Sequence, residues 1–432
     1  MKHTLLSLLL AMGSLAALNT QAQTVATAPQ KPCLCTETVE QPLFKTRANQ
    51  IPYRIPAIAT AKNGNLIAVS DYRHCGADIG FGRVDLHYRI SDDNGQHWSK
   101  ELTMVEGDGV KGSTKCGYGD CAIVADAKSS EVLVVCVTGN TVYGWESTNR
   151  QNPNRVAVLR SFDNGETWGE PEEITEDIYT LFDRSALGPV QSLFFGSGRI
   201  CQSRQIKHGK YYRIYAALCA RPGGNRVVYS DDFGRTWKAL GNINTSPAPN
   251  GDEPKIEELP NGDVLLSSRA WGGRHYNIYN YISQRKATGV WQEVAVSQEQ
   301  EGGVVAKENS TNGEILIIDA IDNATGKCTS LALQSVPLGP GRANVGIYYK
   351  ALYSRDDYDT PVDFATGWSG PYQVSDINSA YSTMVQQPDR RIAFFYEEET
   401  YGPNTAYTNM YIPLAIDQIT QGAFKAKCRK SN

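Results

Sequence analysis

Arg54, Arg269, Arg342, Tyr381, Asp78, Glu253 and Glu397 lie at or just beyond the ends of apolar, strand-like runs. Their contexts are Tyr53-Arg54-Ile55-Pro56, Asp71-Tyr72-Arg73 with Asp78 five residues beyond Arg73, Glu253-Pro254, Arg269 after Val264–Ser268, Arg342 alone, Tyr381-Ser382 and Tyr396-Glu397. By type, a guanidinium is permanently charged and binds a carboxylate through two parallel hydrogen bonds. A carboxyl group gives or takes a proton, and a phenol beside a base can be made nucleophilic. Such a set suits acid–base and nucleophilic work on an anionic substrate. Taken singly, each residue has a plainer reading. Arg54 serves as a surface ion pair, Tyr381 as one of 23 tyrosines in a core, Asp78 as a turn residue, and Glu397 as part of the solvated run Glu397-Glu398-Glu399. Only elements that bring distant strand ends to one place turn the set into a site.

The sequence contains a repeat that would do this. Ser91-Asp92-Asp93-Asn94-Gly95-Gln96-His97-Trp98, Ser161-Phe162-Asp163-Asn164-Gly165-Glu166-Thr167-Trp168 and Ser230-Asp231-Asp232-Phe233-Gly234-Arg235-Thr236-Trp237 share Ser-x-Asp-x-Gly-x-x-Trp. They start at 91, 161 and 230, and each follows a β-type run. The pattern describes a hairpin turn in which Asp accepts backbone N–H groups, Gly supplies a positive φ and Trp packs back on the sheet. A turn repeated in several places is scaffold, because an active site is present once. Ser283 with Gly289 and Trp291, and Ser354 with Asp356, are degenerate copies.

A fainter repeat pairs a turn with an apolar strand. The turns are Asn63-Gly64, Ser129-Ser130, His208-Gly209, Asn261-Gly262, Asn312-Gly313 and Asp389-Arg390, recurring about every 65 residues. Regular short strands without helical periodicity predict an all-β fold, a six-bladed β-propeller of four-stranded antiparallel blades. One end of every inner strand then reaches a common mouth. The propeller is expected over 41–432, after an extension at 23–40, with no block left for a second module.

Composition narrows the function. The 432 residues carry 42 basic and 46 acidic side chains, a net charge of −4, and only 20% charged residues against 41% apolar. This is a globular composition without the basic face that nucleic acid requires. Lys2 and His3 precede an apolar stretch, Leu5–Leu18, too short to span a bilayer but suited to a signal peptide ending near Ala22. Residues 1–22 are therefore read as an export signal and the protein as periplasmic, cell-surface or secreted, without a transmembrane segment. Ten cysteines in an exported chain favour disulfides, with Cys116–Cys121 and Cys201–Cys219 as candidate local bridges. The six histidines lie outside metal-ligand spacing from any cysteine pair, so no metal is expected. Gly107-Asp108-Gly109-Val110-Lys111-Gly112 matches a dinucleotide fingerprint but runs on into loop-type residues instead of a helix, so no cofactor is expected.

The ordered motifs, with the three repeated turns, resemble the bacterial and animal exo-sialidases with Asp-boxes, over nearly the whole chain beyond the leader. The resemblance implies that Arg54, Arg269 and Arg342 clamp a sialic-acid carboxylate and that Tyr381 is the nucleophile with Glu253 as its partner. It further implies that Asp78 is the acid/base, that Glu397 holds Arg54, that Arg73 contacts the sugar's C4 hydroxyl, and that Asp120 in Gly119-Asp120-Cys121 lies near the acetamido group. A phenol suits this substrate because an anionic anomeric centre repels a carboxylate nucleophile. Desolvation in its loop is expected to raise the Asp78 pKa toward the working range. The implied activity is release of terminal α-linked sialic acid from glycoproteins, glycolipids and oligosaccharides with retention. The partners are sialylated glycans; linkage preference and oligomeric state stay open. Trans-sialylation or intramolecular transfer on the same fold is an alternative, and a non-catalytic sialic-acid-binding propeller is another, disfavoured by the presence of Tyr381, Glu253 and Asp78.

Overall fold

The fold is built from short strands joined by tight turns, and strands such as Leu66–Tyr72, Val132–Thr138 and Ile392–Glu398 are buried along nearly their whole length because neighbouring blades cover both faces. A computed structural model describes residues 38–403 and 405–427. The expected signal segment and most of the 23–40 extension lie outside these residues, as do Cys33, Cys35 and Cys428.

Six sheets follow one another around an axis. The first blade is Tyr53–Thr60, Leu66–Tyr72, Asp85–Ser91 and Leu102–Val105. The second is Tyr118–Ala125, Val132–Thr138, Arg155–Ser161 and Glu172–Glu173. In the third, Ser192–Phe195 and Cys201–His208 share the long strand Tyr211–Arg221, followed by Arg226–Ser230 and Lys238–Ala239. The fourth is Pro254–Glu258, Val264–Arg269, Trp271–Ser283 and Thr288–Trp291. The fifth is Ile315–Asp322, Cys328–Pro337, Val345–Leu352 and Ser369–Gln373. The sixth is Ser379–Gln386, Ile392–Glu398 and Thr408–Leu414, completed by the early strand Gln41–Phe44 in register Gln41↔Tyr411. The four-strand plan is embellished: Gly198–Arg199 pairs in parallel with the second blade's inner strand, and Phe424–Ala426 adds to the fifth.

Apolar residues from neighbouring blades interleave to form the core. Leu133 and Val135 of the second blade pack with Ile214 and Val228 of the third. Leu265 and Ile278 of the fourth join Ile317 and Ala332 of the fifth. Leu43 and Phe44 join Tyr53 and Leu66 of the first blade to Phe395 of the sixth, closing the ring.

The three repeated turns join third to fourth strands at the end of the propeller opposite the mouth. Their geometry is nearly identical. Ser91, Ser161 and Ser230 donate to Asp93, Asp163 and Asp232 at 2.8, 2.7 and 2.7 Å. The same hydroxyls accept from the amides of Gly95, Gly165 and Gly234. A Cβ on these glycines would strike Tyr411, Ile67 and Leu133, each on the preceding blade. The boxes thus pin one blade to the next, which explains why the small residue recurs.

Five of the six turn-plus-strand units lead into the second strand of a blade. Asn312-Gly313 instead leads into the fifth blade's inner strand, Ile315–Asp322, so the repeat slips by one strand there. The cysteine expectation is also corrected. Cys75, Cys116, Cys121, Cys136, Cys201, Cys219 and Cys328 are free thiols. Cys201 is opposite Tyr215 while Cys219 is opposite Phe194, four residues further along the shared strand. That separation, about 13 Å, is beyond disulfide reach. Cys116 and Cys121 are likewise held apart by chain that runs extended from Tyr118.

Candidate active site

Inner strands begin, and second strands end, at the mouth. Arg54 lies at the start of the first blade's inner strand, Glu253 just before the fourth's and Tyr381 near the start of the sixth's. Arg73, Arg269 and Glu397 come from second-strand ends, and Arg342 from the loop before Val345–Leu352. The fold brings these residues together.

Tyr381 is the centre. Its hydroxyl donates to Glu253 Oε1 at 2.5 Å, and Arg269 Nη1 donates to the Tyr381 hydroxyl oxygen at 3.4 Å while pairing with Glu253 Oε2 at 2.8 Å. The guanidinium carbons of Arg54 and Arg342 lie 5.5 and 5.4 Å from the Tyr381 ring centroid. All three arginines therefore border one side chain, itself only 5% exposed. Burial, then the Glu253 charge, pushes the phenol well above its ordinary pKa, against the pull of Arg269 and Arg342. The hydroxyl is held protonated, with its proton aimed at a carboxylate.

Glu397, fully buried, organises the first arginine. It accepts from Arg54 Nε at 2.7 Å and Nη2 at 3.3 Å, from the Ile55 amide at 2.7 Å and from the Tyr381 amide at 3.2 Å. Burial opposes the Arg54 charge, but Glu397 more than restores it and the guanidinium titrates above its usual range. Ile55 adopts φ 59°, a costly conformation for a β-branched residue. The ladder shifts between Arg54 and Ala57, so this bulge turns Arg54 into the mouth.

A second cluster surrounds Arg73. Its guanidinium meets Asp71 at 3.1 Å, Asp120 at 3.4 Å and Asp78 through Nη1. Asp71 also accepts from the Asp120 amide at 3.0 Å, which holds Asp120 at φ 51°. Burial pushes the Asp71 carboxyl up against the influence of Arg73. Burial and then the Asp71 charge do the same to Asp120. The pair thus retains a proton that ordinary aspartates release.

Asp78 differs from expectation. Its side chain is 73% exposed and turned to Arg73, so the desolvated loop anticipated from the sequence is absent. Ile79 is buried and anchors the loop, leaving its neighbour facing outward.

Two residues near this centre were missed. Asp71 shares a strand face with Arg73 at i, i+2, a signal available in Asp71-Tyr72-Arg73. Tyr407, whose ring centroid lies 5.1 Å from Arg54, had no distinguishing context. The loop character of residues 110–117 agrees with setting aside the dinucleotide fingerprint. Among the described residues no group of three or more His, Cys, Asp or Glu side chains is arranged to hold a metal ion.

Residues 76–394 match the family model described as a BNR repeat-like domain. A sialidase of Micromonospora viridifaciens is 27% identical over 392 residues, covering 88% of this chain and 55% of that protein. The chain thus spans about half the length of this curated relative. Among solved structures, the Hadza microbial sialidase Hz136 aligns with TM-score 0.65 and 22% identity, over 86% of this chain and 67% of the other. Trypanosoma rangeli sialidase in complex with 2,3-difluorosialic acid, described as a covalent intermediate, aligns with TM-score 0.62 and 16% identity, over 89% and 59%.

Proposed function

Because the chain belongs to the BNR-repeat sialidase family, we propose that it is an exo-α-sialidase that hydrolyses terminal α-linked sialic acids with retention, through a tyrosyl intermediate. The observation that carries this reading is the 2.5 Å hydrogen bond from Tyr381 to Glu253 inside a set of three arginines.

Arg54, Arg269 and Arg342 bind the sugar's carboxylate, neutralising the charge that would repel a nucleophile. Tyr381 Oη attacks the anomeric carbon and passes its proton to Glu253 as the bond forms. The glycosidic C–O bond breaks, and the leaving oxygen takes a proton from Asp78. An entering glycan covers Asp78 and separates it from bulk water, supplying on binding the desolvation that the open site lacks. Water then attacks from the face the leaving group vacated, with Asp78 taking its proton. The phenol leaves and recovers its proton from Glu253. Two inversions give net retention. Arg73 and Asp120 meet the sugar's C4 hydroxyl and acetamido side. The substrates are sialylated glycoproteins, glycolipids and oligosaccharides, reached after export directed by residues 1–22.

Incubation with a fluorogenic α-sialoside, with proton NMR following the first-formed sugar, tests the proposal. α-Sialic acid should appear first and mutarotate afterward. Failure to release sialic acid, or β-sialic acid as the first product, would overturn it.

A further inference from the structure

Lys255 and Thr383 follow Glu253 and Tyr381 by two residues each, on inner strands that lead away from the mouth. Both meet Glu314, which lies just before the fifth blade's inner strand. Thr383 Oγ1 donates to Glu314 Oε2 at 2.9 Å, and Lys255 Nζ lies 3.5 Å from the same oxygen. The Lys255 and Glu314 side chains are wholly buried, as is Thr383. Lys255 also donates to the Ser197 carbonyl, and Arg199 Nη2 lies 3.7 Å from Glu314 Oε1, tying in the segment between the split strands of the third blade. A Cβ on Gly198 would strike Lys255 Nζ and lie 3.2 Å from Thr383 Oγ1, so the glycine lets this segment approach both side chains. Asn312, in the turn where the repeat slips, accepts from the Ser382 amide at 3.2 Å. That irregular turn therefore sits beside the axis, where its polar groups can serve the layer.

We propose that Glu314 is a positioning residue: by joining Thr383 to Lys255 beneath the site, it fixes the separation of the strands that hold Tyr381 against Glu253. The proposal rests on the sialidase reading. Distance between nucleophile and base governs the first chemical step, whereas carboxylate binding depends on arginines from other strand ends. Loosening this layer should slow attack and leave binding of the sugar almost unchanged.

Thr383→Val removes one hydrogen bond at nearly constant volume, Thr383→Ser keeps the hydroxyl, and Glu314→Gln removes the charge. Each is made in the full chain. Steady-state kinetics on an aryl α-sialoside, calorimetric affinity for a 2,3-unsaturated sialic-acid analogue, and the rate of covalent labelling by 2,3-difluorosialic acid are compared. Thr383→Val should lower kcat and the labelling rate roughly tenfold, with Glu314→Gln lower still. Analogue affinity should stay within about twofold, and Thr383→Ser should recover most of the rate. Wild-type rates in Thr383→Val, or losses of rate and analogue affinity in equal measure, would overturn the proposal, even if Glu314→Gln failed to fold. A wild-type chain that binds the analogue but turns over no sialoside would instead refute the sialidase reading.

Discussion

Glu397 receives both the side chain of Arg54 and the backbone amide of Tyr381, so one buried carboxylate sets the relative placement of the two. Removing it leaves an arginine only 17% exposed without its counter-charge. Breaking a buried pair by deleting one partner costs about 3–5 kcal/mol. Glu397→Ala should therefore lower the urea unfolding free energy by about that amount and abolish most sialoside turnover; unfolding curves and kinetics on one preparation check both.

Each arginine of the proposed carboxylate clamp should contribute separately to substrate capture. A charge-assisted hydrogen bond contributes roughly 1.5–3 kcal/mol. Arg54→Ala, Arg269→Ala or Arg342→Ala should thus lower kcat/KM by about tenfold to a hundredfold or more. A crystal structure with a bound sialic-acid analogue should place its carboxylate among the three side chains. Finding it elsewhere would remove the assignment.

Tyr381→Phe deletes only the oxygen that attacks in the proposed mechanism. Analogue binding should persist while turnover falls by orders of magnitude, and peptide mapping after 2,3-difluorosialic acid should find label on Tyr381 in the wild type. Asp78→Asn should damage alkyl and glycosyl sialosides far more than aryl sialosides, because an aryl oxygen leaves with little protonation. Label on a carboxylate, or equal damage across leaving groups, would contradict these roles.

The Asp71–Asp120 pair gives a pH signature. Burial and the Asp71 charge raise the Asp120 carboxyl to about 8. An unfolded aspartate titrates near ~4. With the folded pKa above the unfolded one, the stabilisation is fully present below pH ~4 and is lost as pH rises through about 8. Asp120→Asn should flatten this decline. Urea midpoints measured from pH 4 to 9 should show the wild type losing more stability than the variant, and parallel profiles would refute the coupling.

Much of this architecture was legible because it repeats. The box Ser, Asp and Gly recur unchanged where each pins a blade to its predecessor, so their spacing reported the blades directly. The mouth residues were legible through their motifs and through their positions at strand ends. Contacts between unrelated segments were not legible. Glu314 reads as one more acidic residue until the fold brings Lys255 and Thr383 to it, 59 and 69 residues away in sequence. Cysteine number likewise said nothing of strand register, which keeps Cys201 from Cys219. The exposure of Asp78 depends on how Ile79 anchors its loop, a packing choice that no local pattern encodes.

The strand Gln41–Phe44 completes the blade that carries Tyr381 and Glu397. During synthesis, the partners Gln41 and Tyr411 are separated by nearly the entire chain, and a nascent polypeptide that has built five blades still lacks Tyr381. Such long-range pairing slows folding. Under the proposed function, catalytic competence should arrive only when the two ends of the ring meet. Appearance of sialoside turnover during refolding should serve as a clock for that closure, lagging any signal from the box tryptophans of the first three blades.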